Sequence, residues 1–252
     1  MNIKLSQKDI YSGDLILVNG VHPYLEKTDK KDLVYVYEGN DKILLSRKVS
    51  AVFAKIMEEI GGTAIVSVVS GWRSRCEQEE LYDSSLEENG ISFTGRYVAL
   101  PGHSEHQTGL AVDLALKNGD WDIIRPEFTC GDICMAFREM STRYGFVERY
   151  PQNKENITGI AHEPWHFRYI GTPHSEIMAK HDMCLEEYIE FIKGFVRGQR
   201  EYYHSTVMQK VYVSYLPAPD SGTVCAEVDE GFPYKISGNN VDGYIITEWR
   251  QE

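Results

Sequence analysis

Hydrophobic positions along the chain change their period several times, and each change marks an element. Val49, Val52, Phe53, Ile56, Met57 and Ile60 form one stripe of an amphipathic helix that Gly61-Gly62 closes. The stretch TAIVSVVS, ending at Ser70, is β-branched and bounded by glycines, which predicts a buried strand. From Arg75 to about Glu88 helix formers predominate, so a second helix follows. LAVDLAL, from Leu110 to Leu116, predicts a strand with Asp113 at its centre. The segment from about Asp132 to Tyr144 predicts a helix, with Gly145 where a C-terminal cap belongs. FVERY and WHFRYI alternate like strands on either side of a loop rich in Asn and Gly. Pro173 opens a helix, and another runs to about Phe195.

Strands and helices interleave, but several strands follow one another closely. That pattern predicts an α+β fold, a small antiparallel sheet with flanking helices. From Tyr202 onward the texture changes: VYVSYLPAP, FPYKISGNN and GYIITEW read as short strands separated by Pro, Gly and Asn. The expected organisation is a main domain over residues 1–200 and a small β-rich C-terminal appendage over residues 201–252. No internal repeat or low-complexity tract is found.

Composition narrows the field of partners. A net charge of −12 and a pI near 5.2 argue against nucleic acid, which wants a basic face, and against an anionic membrane surface. The longest strongly apolar run, about Ala64–Val69, is far short of the roughly 20 residues of a membrane-spanning helix. The opening MNIKLSQKDIYSGD has no apolar core of a secretory signal, and the five cysteines lack framework spacing. The expected location is therefore the cytoplasm, with free thiols. Cys130 and Cys134 are too loosely spaced for a zinc knuckle and read as two half-buried helix cysteines. Glu77, Glu79, Glu80, Glu87 and Glu88 read as a solvated helix face.

Three segments make poor structural sense alone and good sense together. In the first, Ser104 to Asp113, a carboxylate sits inside an apolar strand, which is costly unless it is paired or binds a metal. His106, just before the flexible Gly109, can share that ion. The second, His162-Glu-Pro-Trp-His166, matches HExxH literally. Pro164 would break a helix there, so the predicted geometry is a turn carrying Glu163 that feeds a strand carrying His166. His106, Asp113 and His166 then make three ligands, with a fourth tetrahedral position open, as a catalytic zinc requires. Such an ion acidifies water and polarises a scissile carbonyl, and Glu163 would move the proton to the leaving amine. In the third segment, SGWRSRCEQ, Arg73 is placed to meet either a substrate carboxylate or a developing oxyanion.

SGWRS…Q, SxHxxGxAxD and ExxH, in this order, resemble the zinc D-Ala-D-Ala peptidases of the VanY/VanX group, over roughly residues 13–195. The resemblance implies His106, Asp113 and His166 as zinc ligands, Glu163 as base and Arg73 as clamp. It also implies that Ser104 and Gln78 help to hold the substrate terminus. With no secretory signal read, the chain is most similar to the cytoplasmic VanXY type of glycopeptide-resistance enzyme. The expected substrates are the D-Ala-D-Ala dipeptide and, as a second activity, the terminal D-Ala of the muramyl pentapeptide precursor. The expected consequence is resistance to glycopeptides such as vancomycin.

Rival readings keep the motifs but change the chemistry. One is an L,D-carboxypeptidase of peptidoglycan tetrapeptides; another is a silent module that binds wall peptides; a third is a literal HExxH endopeptidase. His103 and His162 are read as neighbours of the ligands, and Trp165 as a core aromatic.

Overall fold

The computed structural model describes residues 1–26, 28–36, 43–117, 122–129, 131–205 and 210–250. The chain begins with β1 (Asn2–Ser6), β2 (Leu33–Tyr35), β3 (Leu44–Ser46), α1 (Arg47–Glu59), β4 (Val66–Ser70) and α2 (Arg75–Tyr97). Next come β5 (Ala111–Leu116), α3 (Asp132–Arg143), β6 (Phe146–Glu148), α4 (Glu155–Thr158), β7 (His166–Tyr169) and α5 (His174–His181). The last elements are α6 (Leu185–Lys193), β8 (Tyr202–Ser205), β9 (Lys210–Pro217), β10 (Thr223–Glu227), β11 (Tyr234–Gly238) and β12 (Gly243–Arg250). Two compact units result, one of Val18–Ala179 and one joining Met1–Leu17 to Lys180–Glu252.

The larger unit is built on the antiparallel sheet β4-β5-β7-β6. One face of it packs on α1 and α3. Val66, Val68, Val112, Leu114, Phe146, Phe167 and Tyr169 from the strands meet Val49, Phe53, Ile56, Met57, Cys134 and Phe137 from the helices. Phe137 stands edge-on to Phe167 at 4.8 Å, and each buried phenylalanine of this kind contributes about 3–5 kcal/mol against alanine. Ser46 caps α1 by accepting from the Val49 N–H, and the stripe predicted from the sequence is the buried one.

Period-two alternation sends Asp113, His166 and Arg168 to the opposite face. Asp113 pairs with His166 across the β5–β7 register. Ser70 would share the core face of Val66 and Val68, but a bulge between Val68 and Ser70 brings Ser70 opposite Asp113 instead. One face of the sheet is therefore core, and the other carries polar groups.

The second helix outruns its predicted end near Glu88 and continues to Tyr97 through a break at Gly90 (φ 78, ψ 167). The Asn- and Gly-rich loop before β7 contains the short α4. Cys134 is wholly buried rather than half-buried, and Cys130 lies outside the described residues. The acidic residues of α2 are exposed as expected.

The other unit takes in more than the residues expected of an appendage. Its sheet runs β11-β12-β9-β8, and β1 pairs with β10. Leu5, Ile10, Ala226, Val228, Tyr244 and Ile246 form its core. The boundary expected at residue 201 thus differs from the compact division. The first seventeen residues and α6 fold with the C-terminal strands, because β1 finds its hydrogen-bond partner in β10.

Candidate active site

The polar face of the β4-β5-β7-β6 sheet holds the groups singled out by sequence. Between β4 and β5 the chain makes a tight turn, Glu105–Thr108, whose four residues are all buried. Gly109 ends it at φ 70, a left-handed conformation that favours glycine, and lets the chain enter β5. His106 is aimed from this turn, and its Nδ1–H donates to the Gly71 carbonyl at 2.6 Å. Gly71 has no room for a side chain, since a Cβ would lie 2.4 Å from the Leu44 carbonyl oxygen.

His106 Nε2 lies 3.1 Å from Asp113 Oδ2, and His166 Nδ1 lies 2.8 Å from Asp113 Oδ1. Donor atoms of these three residues all fall within 4.8 Å of one another. Two imidazoles and a carboxylate converging so tightly in a buried place are the donor set for a divalent metal ion. With Nδ1–H committed to Gly71, His106 keeps the Nε2 lone pair for such an ion.

Glu163 stands just before β7, with its Oε2 3.9 Å from His166 Nδ1. Its backbone N–H donates to the Tyr150 carbonyl, and its own carbonyl accepts from the His166 N–H. No helix spans His162–His166, in accord with the turn-then-strand reading. His162 belongs to another group, its Nε2 3.0 Å from Glu148 Oε1. His103 faces the Asn19 carbonyl at 2.7 Å. Trp165 serves both places, lying in the core and lining the cleft.

Arg73 lines the same cleft. Its Nη2 donates to Ser70 Oγ at 2.7 Å and its Nη1 to Gln78 Oε1 at 2.8 Å. The bulge that turned Ser70 toward Asp113 thereby also anchors the arginine. Gln78 donates its amide to the Ala99 carbonyl at 2.8 Å, so both ends of its side chain are bonded within the protein. Ser104 is buried and lines the cleft. The remaining walls include Tyr97, Ile123, Ile124, Tyr150 and Ile160, which sequence reading did not single out.

Burial sets the electrostatics of the group. Dry surroundings push the Glu163 carboxyl well above its usual value; His166 draws it down, and Asp113 and Glu105 push it up further. Burial alone would raise Asp113, but the two imidazoles hold it far below the carboxylate range. For His166 burial opposes the charge, yet Asp113 beside it carries the imidazole up to about 10. His106 is depressed by burial, which Asp113 only partly offsets.

Glu105 also went unread in the sequence. It is fully buried and bonded to Arg149 and Arg168, both likewise buried. The available signal was a pair of arginines inside strand-like FVERY and WHFRYI, since a buried guanidinium demands a buried anion.

An α+β domain that presents His-Asp-His to a cleft, with a raised carboxyl and an anchored arginine beside it, has the architecture of a metal-dependent hydrolase. Comparison with known proteins narrows that class. The pattern of the VanY family, D-alanyl-D-alanine carboxypeptidase, matches residues 43–172. The bifunctional D-Ala-D-Ala dipeptidase and D-Ala-D-Ala carboxypeptidase VanXYC of Enterococcus gallinarum is 39% identical over 184 residues, covering 73% of this chain and 97% of that protein. The crystal structure of the vancomycin-resistance D,D-dipeptidase VanXYg in complex with a D-Ala-D-Ala phosphinate analogue is 45% identical. It superimposes with a TM-score of 0.96 over 99% of both chains. A variant of the D,D-pentapeptidase VanY from a VanB-type resistance cassette, in complex with Zn(II), is 29% identical with a TM-score of 0.58, over 70% of this chain and 98% of that one. The chain belongs to the VanY family.

Proposed function

We propose that this protein is a zinc-dependent D,D-peptidase that hydrolyses D-Ala-D-Ala and removes the terminal D-Ala of pentapeptide precursors, so conferring resistance to vancomycin-type glycopeptides. The observation that carries the reading is the convergence of His106, Asp113 and His166 donor atoms within 4.8 Å, with Glu163 beside them. Likeness over 99% of both chains to a D,D-dipeptidase bound to a substrate-like phosphinate supports the substrate. The cytoplasm is the proposed location, where an enzyme with the dipeptidase activity of the similar VanXYC would meet free dipeptide rather than assembled wall.

Zinc held by His106, Asp113 and His166 supplies a Lewis acid that polarises the scissile carbonyl and acidifies water. Glu163, its carboxylate strengthened as a base by burial, takes the proton from the attacking water. It then delivers that proton to the amine of the departing D-alanine as the C–N bond breaks. Arg73, with two of its nitrogens anchored by Ser70 and Gln78, offers its charge to the substrate carboxylate or the developing oxyanion. Ser104 holds the substrate terminus from the wall of the cleft. Tyr97, Ile123 and Ile124 line the cleft and offer apolar surface to the methyl groups of the substrate.

The test is D-alanine release from D-Ala-D-Ala and from muramyl pentapeptide by the purified chain, with zinc and after chelation. Zinc-dependent release from the dipeptide supports the assignment. Release from tetrapeptide alone would move the protein to the L,D-carboxypeptidases.

A further inference from the structure

Glu105 has no part in the chemistry above, and its surroundings give it one. Its side chain is wholly shielded from solvent, as are those of Arg149 and Arg168. Oε1 accepts from Arg149 Nε at 2.7 Å and from Arg168 Nη1 at 2.8 Å. Oε2, the other oxygen, is buried without a hydrogen-bond partner. The other buried side-chain atom in that condition among the described residues is Nε2 of His166, and the two lie 3.6 Å apart. A dry interior rarely leaves a donor and an acceptor unmatched, and here a small closing movement joins them.

We propose that Glu105 is a positioning residue for His166. It accepts from Nε2–H, fixes the imidazole in that tautomer and leaves the Nδ1 lone pair facing Asp113 and the metal. A carboxylate behind a ligating histidine orients the ring and strengthens it as a donor. The two arginines keep this carboxylate anionic and immobile while leaving one of its oxygens for the histidine. The histidines are thereby set in opposite senses. His106 has its Nδ1–H on Gly71 and presents Nε2; His166 has its Nε2–H on Glu105 and presents Nδ1. One turn, Glu105–Thr108, thus supplies both a ligand and the group that orients a second ligand. The inference rests on the metal reading above.

Two measurements on the full chain test it, with zinc itself as the probe. In zinc-loaded wild type labelled with 15N-histidine, long-range 1H–15N correlations read which nitrogen of His166 carries hydrogen. Nε2–H is expected; Nδ1–H would overturn the proposal while leaving zinc binding intact. Competition with a chelator then compares wild type and Glu105→Gln, where a loss of roughly 10–100-fold in zinc affinity and a displaced His166 Nε2–H resonance are expected. Affinity and resonance both unchanged would overturn it. Should Glu105→Gln not fold, the wild-type tautomer decides alone. A wild type that takes up no zinc overturns the metal reading and this inference together.

Discussion

Glu248 and Glu105 each accept hydrogen bonds from two arginines, and the contrast between them separates a structural network from a chemical one. Glu248, on β12, accepts at Oε2 from Arg197 and Arg250, both at 2.8 Å, and at Oε1 from the Asp229 N–H at 3.5 Å. Arg250 goes on to a two-pronged pair with Glu201, 2.7 Å in each arm. Those charges close on one another, and the arginines remain partly in water. Glu105 likewise takes both of its arginines on one oxygen, but all three side chains are dry. Its second oxygen faces His166. Saturated charge networks hold strands together; a network that leaves one buried oxygen unclaimed points to what that oxygen is for.

The largest effect expected on breaking this contrast falls on the donor set. Asp113→Ala should cost more zinc affinity than the roughly 10–100-fold lost with an outer partner, and D-alanine release should drop to background. Glu248→Ala should leave both unchanged, as metal analysis after dialysis and a D-alanine assay will show.

Stability comes next. Glu105→Gln leaves two buried guanidinium groups without their anion and should cost about 3–5 kcal/mol in urea unfolding of the metal-free chain. Glu248→Gln, whose arginines reach solvent, should cost about 1–2 kcal/mol. Equal losses would erase the distinction. The Glu105 contribution has a defined sign with pH. Burial would raise its pKa, but Arg149 and Arg168 hold it well below the usual range. Its stabilisation is therefore present above the unfolded value of about 4.3 and is lost as pH falls through the folded value.

His166 behaves in the opposite sense. Burial opposes its charge, but Asp113 lifts it to about 10, so the ring carries a proton at neutral pH that the proposed zinc ligation would have to displace. Zinc affinity should consequently rise with pH, by about tenfold per unit between roughly pH 6 and 8. An affinity independent of pH would contradict a ligand role for this ring.

The smallest effect concerns Gln78. Its loss frees Arg73 from one hydrogen bond to a charged group and should lower kcat/KM about tenfold, with zinc affinity unchanged. A change confined to KM would return Gln78 to the direct substrate contact expected from its motif.

Much of the site was legible because its chemistry conflicts with its local pattern. Asp113 interrupts an apolar strand, and Pro164 forbids the helix that HExxH suggests, so a strand for His166 followed from residues alone. The core stripe of α1 was equally plain. What stayed hidden depends on register and distance. The bulge that turns Ser70 toward Asp113 and Arg73 exists only against β5. β1 is five residues long and has meaning only beside β10, more than two hundred residues later. Glu105 fills an unspecified position of SxH, and only the arginines of two other strands betray it.

The central claim is tested most directly by Glu163→Ala, assayed for bound zinc and for D-alanine release from D-Ala-D-Ala. The account predicts one zinc per chain, as in wild type, and a rate lower by about 10²–10⁴-fold, the usual share of a general base. A variant that keeps its zinc and also keeps its rate would contradict it.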